Sequence, residues 1–497
     1  MKKLLLSLLG LFPFLLFAQM SFYKEFTNSE ECKYEIEKIL ELKNGNFLLM
    51  ANRIFCQDAT SGITNFIILD AKGKELSQNK FERDNKYVDV ILDIIPLGNE
   101  YFAIGKTYDK KELTIQMVFY RLDANLKVID SKLVQPDKNF EYVELYDVKL
   151  YLDGNYAYFS TTYQYGLQAF SPAVGVAGRI NTDFSNLIIS SFPAETKGAE
   201  TGGLDITKRL DGKGFLLDDY TRILTLDEDM NLEKEQYSEF EDFDQRREIY
   251  KNKYITIAQH TLYLEPKNPN SPFKFDIGIK ILDAKLKLEK QALIGKSIAK
   301  GALRDTYDLP GKRGLNWKDP NKIYVCGSTF KDFKFGSNLV NDAWINISRL
   351  DSNLTIKWTK YFWSEGFNLA SGVLATDDGV VVYGSRDSLK TGTSYAFVMK
   401  LTEDGLLKGE DIDNFSNTNI KIGPNPFRSY CTFAVDAIGE NKTMKVEIFN
   451  VLGQKEHEQN ISEGLNDVDL SNLPSGNYFY NIRIENQLYK YGKLTKL

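Results

Sequence analysis

Between Lys43 and Leu407 one pattern returns seven times: a tight turn, a short apolar strand ending on small residues, a variable excursion, and an alternating strand that closes on a second turn. The first halves are KNGNFLLMA at Lys43, LGNEYFAIGKT at Leu97, LDGNYAYFSTT at Leu152, LDGKGFLLDD at Leu210, KNKYITIAQHT at Lys251, DPNKIYVCGST at Asp319 and TDDGVVVYGS at Thr376. The second halves follow in phase, from FIILDAKGKEL at Phe66 to FVMKLTEDGLL at Phe397. Strands of this kind cannot bury both faces within one unit, so the repeats must stack on one another.

Aromatic and β-branched alternation with almost no helical periodicity predicts an all-β chain, and the repeat length suits four-stranded blades arranged around an axis. A β-propeller is therefore expected over residues 19–410. Seven copies predict seven blades, while a short fourth and a long fifth interval leave six or eight open. SFYKEF at Ser21 resembles the strand after each Leu-Asp turn, such as WTKYFW at Trp358, and is expected to complete the last blade. The aspartates of those turns, Asp70, Asp123, Asp227, Asp283 and Asp351, read as caps of the turn backbone rather than as catalysts.

A net charge of −6 without long charged blocks offers no electrostatic case for nucleic acid, and no nucleic-acid partner is expected. Residues 1–18 pair Lys2 and Lys3 with an apolar run to Phe17 and a small residue at Ala18, the pattern of a secretory signal peptide cleaved between Ala18 and Gln19. Signal peptidase is the first partner implied. No later run is long enough for a spanning helix, so no transmembrane segment is expected in the mature chain. Cys32 and Cys56 stand equidistant from Asn44 in an Asn-Gly hairpin, so a disulfide is one expectation and two free thiols the other. Cys326 and Cys431 read as buried thiols.

EDIDNFSNTN, within residues 411–419 and the residue before, is a polar linker, and from Ile420 the text changes. Alternating strands separated by Gly, Asn and Pro turns over residues 420–497 predict a small immunoglobulin-like β-sandwich. Its segments are specific: PNPF at Pro424, Asn425, Pro426 and Phe427; IFNVLGQ with Gly453 and Gln454; DLSNLPSGNYFY with Leu473, Pro474, Gly476 and Tyr478; and GKLTKL with Gly492, Lys493, Leu494 and Lys496. Together they resemble the type A C-terminal sorting domain of Bacteroidota type IX secretion. That resemblance implies passage through the periplasm, recognition by outer-membrane type IX machinery, a final place outside the cell or on its surface, and a terminal strand that the machinery reads. His457 departs from the family by replacing a more usual apolar residue.

Chemistry is sparse in the repeats. With only His260 and His457 in the chain, a zinc centre or histidine triad has too few members, so no metal or cofactor is expected and catalytic residues stay unassigned. Asp218, Asp219, Asp227, Glu228 and Asp229 are the densest carboxylates, and Tyr163, Tyr165, Phe170, Trp358, Phe362 and Trp363 the densest aromatics. The expected function is an exported binding module for a protein or glycan; the alternative is an extracellular carboxylate-based hydrolase or lyase on glycans or peptides.

Overall fold

The computed structural model describes residues 21–27, 33–54, 62–83, 87–109, 115–134, 143–165, 173–193, 205–219, 222–237, 242–263, 273–295, 306–331, 342–362, 367–388, 392–405, 420–423, 427, 429–435, 444–462, 464–484 and 487–497. Six complete blades follow in chain order, each an antiparallel four-stranded sheet numbered here from the axis outward. Their inner strands are Lys33–Glu41, Tyr87–Leu97, Val143–Asp153, Asp205–Lys208, Asp242–Tyr250 and Thr306–Asn316. The seventh blade has Phe367–Thr376, Gly379–Asp387 and Ser394–Thr402, and takes Phe22–Thr27 as its outer strand, paired with Ser394–Thr402 from Phe22 opposite Lys400 to Thr27 opposite Tyr395. Single parallel bridges, Arg313 to Gly372 and Ala343 to Phe367, join blades six and seven.

Each blade buries its faces against its neighbours. Seven separate apolar layers result, one for each adjoining pair around the ring. The layer between blades seven and one contains Phe22 and Phe26 together with Tyr34, Ile36, Val381 and Val398, so the N-terminal strand closes the ring. Closure removes the open sheet edges that would otherwise pair with other chains.

The Leu-Asp turns behave as their composition predicts. Oδ1 of Asp70, Asp123, Asp227, Asp283 and Asp351 accepts the backbone N–H groups two and four residues onward, at 2.8–2.9 Å. The residue three positions after the Asp is left-handed, at φ 81° for Gly73 and 62–66° for Leu126, Met230, Leu286 and Leu354. A non-glycine residue there costs about 1–2 kcal/mol. Leu126, Met230 and Leu354 are buried in the inter-blade layers, and burial worth about 1.5–3 kcal/mol per side chain offsets that strain. At Gly73 the space belongs to Phe22, whose ring would lie 2.5 Å from an added Cβ. The closing strand thus supplies what leucine supplies elsewhere.

Ile420–Gly423, Tyr430–Val435 and Gly464–Asp469 form one sheet of the C-terminal sandwich; Lys455–Ile461, Met444–Phe449, Gly476–Ile484 and Gln487–Lys496 form the other, in that spatial order. Ile420, Phe433, Val446, Ile448, Val468, Ile482 and Leu494 fill the space between them.

Candidate functional site

The inner strands line a cavity of about 310 Å³ on the axis, with side chains from blades one and three to seven. Apolar walls from Ile39, Leu150, Ile257 and Val373 alternate with the charges of Lys38, Lys149, Asp205, Glu248, Lys312 and Arg313. Most of these charges meet at two ion-pair centres, the first buried and the second partly open.

The first centre is Asp93, a carboxylate inside the apolar run ILDII of blade two and wholly buried. Its Oδ1 lies 2.6 Å from Lys38 Nζ and 3.2 Å from an Arg313 nitrogen, and its Oδ2 accepts the Leu150 N–H at 2.8 Å. Burial pushes this carboxyl upward, but the cations of Arg313 and Lys38 outweigh it and hold the group below the ordinary carboxylate range. Arg313 also donates to the carbonyls of Glu37, at 3.2 Å, and Val148, at 3.4 Å. One side chain from blade six therefore ties blades one, two and three across the axis.

The local sequence explains how Arg313 gets there. Pairing of the inner strand of blade six with its second strand jumps from Pro310 opposite Gly327 to Leu315 opposite Val325. Gly311, Lys312, Arg313 and Gly314 bulge out of the ladder. The two glycines are obligatory: a Cβ on Gly314 would sit 2.5 Å from the Cys326 carbonyl oxygen, and one on Gly311 2.8 Å from that of Ala370. Sequence reasoning passed over PGKRG. Two glycines bracketing a Lys-Arg pair within a strand, and a lone Asp among isoleucines, were the signals available.

The second centre is Lys149, 2.7 Å from Asp205 and 3.0 Å from Glu248. Burial lowers the affinity of its amine for a proton, yet the two carboxylates overcome this and raise its pKa above the ordinary lysine value. Behind it, fully buried Arg247 grips Asp218 through two hydrogen bonds of 2.9 and 2.6 Å.

A third charged group lies beside the first centre. Glu35 and Glu37 are hydrogen-bonded through their side chains; Lys33 is 3.2 Å from Glu35, and Lys312 is 3.2 Å from Glu37. Burial and the charge of Glu37 push Glu35 up to about 7. Burial also acts upward on Glu37, but Lys312, the proton of Glu35 and Arg313 bring it down to about 2. Half-buried Lys106, next to the same cluster, is partly desolvated and falls to about 8.

The carboxylates singled out from sequence separate. Asp218 is held by Arg247, Asp227 caps its turn, and Asp229 pairs with Arg179 at 2.7 Å beside the Glu228 carbonyl that the same guanidinium contacts. Asp219 lies in a strand whose side chain at that position is outside the described residues. No group of three or more metal-ligating side chains is gathered among the described residues. Tyr163 and Phe362 are core, and Trp358 packs on Tyr324 while its indole N–H donates to the Glu403 carbonyl at 3.1 Å. His260 is buried opposite Asp276 in blade five. Phe170, Trp363, the side chain of Tyr165, Cys32, Cys56, Ala18 and Gln19 fall outside the described residues; the pair nearest the two cysteines is Lys33 opposite Ile54. Cys326 and Cys431 are buried and not disulfide-bonded.

In the sandwich, three of the four signature segments converge. Phe427 is buried, receives a parallel bridge from Lys496, donates its N–H to the Thr495 carbonyl and accepts the N–H of Leu497. The Lys496 ammonium donates to the carbonyls of Leu470, Ser471 and Leu473, at 2.7, 2.7 and 2.6 Å. Tyr478 donates to the Pro474 carbonyl at 2.8 Å, Gly476 opens its strand opposite Lys496, and Gly492 lies under Tyr480, whose hydroxyl would be 2.5 Å from an added Cβ. Gly453 is left-handed at φ 77°, and Gln454 donates its N–H to Asn450 Oδ1. Leu494 is wholly buried, Lys493 faces solvent, and half-buried His457 lies opposite Ile448. Pro424, Asn425 and Pro426 are outside the described residues.

Residues 421–495 match the family model described as a secretion system C-terminal sorting domain. This stretch is the type IX sorting domain, and it indicates export to the cell surface or the extracellular space. A search of curated proteins found no match. Among solved structures, the chain is similar to the Pan2 WD40 domain of Neurospora crassa (9% identity, 73% of this chain and 89% of that one, TM-score 0.38). It is also similar to a protein of unknown function from Bacteroides caccae (9%, 60% and 89%, TM-score 0.35) and to a Trypanosoma rangeli sialidase in complex with sialic acid (8%, 94% and 88%, TM-score 0.34). At such values these likenesses say nothing about a ligand or a reaction. No helix of the described residues is long and apolar enough to cross a membrane.

Proposed function

We propose that this chain is an exported binding module: a seven-bladed propeller over residues 19–410, joined by the linker 411–419 to the sandwich 420–497 that routes it outward. Export begins with cleavage between Ala18 and Gln19 and passes through the periplasm of a Bacteroidota cell. The partner class is a protein or a glycan. One observation carries the choice of binding over hydrolysis: Asp205 and Glu248, the carboxylates lining the axial cavity, are consumed in ion pairs with Lys149, and Asp93 of blade two, outside the lining, is consumed by Lys38 and Arg313. A general acid needs a carboxyl that keeps its proton, and a nucleophile or base needs an unencumbered one.

Glu35 favours the second reading. A carboxyl pushed to about 7 beside one held at about 2 is the split an acid–base pair requires. A glycan and peptide array probed with the mature full-length chain, beside a hydrolysis screen, separates the two. Saturable binding without turnover is expected. Turnover abolished by Glu35→Gln would replace the binding module with an enzyme.

A further inference from the structure

The sorting motifs contain two populations of residues. Phe427, Ile448, Tyr478, Leu494 and Lys496 are buried and build the sandwich. Buried groups cannot be touched by a partner while the domain is folded. Recognition of the folded domain must use what these motifs leave outside.

Part of what they leave outside is apolar without a folding reason. Val451 and Leu452, in IFNVLGQ, are 66% and 80% exposed. Their turn is shaped by other residues: Asn450 Oδ1 accepts the N–H groups of Leu452 and Gln454 at 2.9 and 3.0 Å, and Gly453 supplies the left-handed position. The propeller makes the same turn with Ala-Lys at residues 71–72, Ala-Asn at 124–125, Glu-Asp at 228–229, Ala-Lys at 284–285 and Ser-Asn at 352–353. Five internal copies show that this geometry does not ask for Val-Leu. Phe479, in GNYFY, is 46% exposed among the outward neighbours Asn477, Asn481 and Arg483. Leu497 is 63% exposed.

Register brings these residues to one end of one sheet. Phe449, which enters the Val451–Leu452 turn, lies opposite Phe479, and Gly476 lies opposite Lys496. Three motif segments, distant in sequence, each place an exposed apolar side chain at that end.

We infer that Val451, Leu452, Phe479 and Leu497 form the docking surface by which the secretion machinery, a protein partner, reads this domain. The inference rests on the sorting role of residues 421–495 and adds where that role is exerted. A small, desolvated apolar cluster with an aromatic anchor is the usual energetic centre of a protein interface. The four side chains make no contribution to the sandwich core, so changing them separates recognition from folding.

The test uses the full chain produced in cells that carry the secretion machinery. Three forms are compared: the parent, the double variant Val451→Asp/Leu452→Asp, and a chain lacking residues 420–497. Extracellular and periplasmic amounts are measured, and thermal unfolding of the purified double variant reports its fold. The double variant is expected to unfold like the parent and to reach the exterior about tenfold less or worse, accumulating in the periplasm. Normal export of the double variant, with export of the deletion blocked, would overturn the docking surface and leave the sorting role standing. Normal export of both would remove the sorting role as well. If the double variant has lost its fold, Phe479→Ser is read in its place by the same two measures. Loss of self-association with unchanged export would assign the patch to a second copy of the chain and likewise overturn the inference.

Discussion

At the scale of single residues, the axis is held by charges that leave little latitude. Arg313→Met removes a cation from wholly buried Asp93 and is expected to cost about 3 kcal/mol in chemical denaturation. Adding Asp93→Asn takes away the charge left uncompensated, so the double variant should be more stable than the sum of the two losses by about 1 kcal/mol or more. Strict additivity would mean that the pair does not interact. Glu35 makes a separate prediction. In the folded chain it keeps its proton up to about pH 7, whereas unfolded it releases it near the ordinary carboxyl value. The folded state therefore binds the extra proton between those limits, and the stability this confers is lost as pH rises through them, by at most about 1.4 kcal/mol per pH unit. Between pH 5 and 7 the parent should lose stability relative to Glu35→Gln; parallel curves would show that Glu35 titrates normally. Of these residues the sequence made the turn aspartates legible, because an Asp beside a tight turn has one local use. Arg313 was not legible, since its partners come from three other blades and local pattern carries no trace of them.

At the scale of elements, Phe22–Thr27 is the piece on which ring closure depends. It pairs along its whole length with residues Tyr395 to Lys400, anchors through Glu25 to Arg386 at 2.7 and 3.0 Å, and places Phe22 and Phe26 in the layer between blades seven and one. Deleting residues 21–27 strips three buried aromatics, Phe22, Tyr23 and Phe26, of which the two phenylalanines are each worth about 3–5 kcal/mol, and exposes a strand edge. The deleted chain is expected to melt well below the parent and to bind a hydrophobic dye before unfolding. Unchanged melting without dye binding would show that the ring closes without this strand. SFYKEF could be placed from sequence because it resembles the outer strands of other blades. The bulges of the inner strands could not. They arise where strands crowd around the axis, and the register slips from Ile36 to Lys38, Ile91 to Asp93 and Ala370 to Gly372 depend on neighbouring strands rather than on their own residues.

For the whole molecule, the all-β class, the propeller and the sandwich were readable because each is written repeatedly: seven turn-flanked strand pairs, and four ordered segments from Pro424 onward. The axial cavity was not, because it is assembled from inner strands up to about 335 residues apart, from Lys38 to Val373. On this reading the sandwich directs the outward step once the signal peptide has delivered the chain to the periplasm, and the propeller is its cargo. The most direct measurement fuses residues 1–30 before an unrelated fluorescent reporter and residues 411–497 after it, in cells that carry the secretion machinery, and follows the reporter by fractionation. The account predicts that the reporter is found outside the cell or on its surface, and that it stays in the periplasm when residues 420–497 are omitted. A reporter retained in the periplasm with the complete sandwich attached would contradict it.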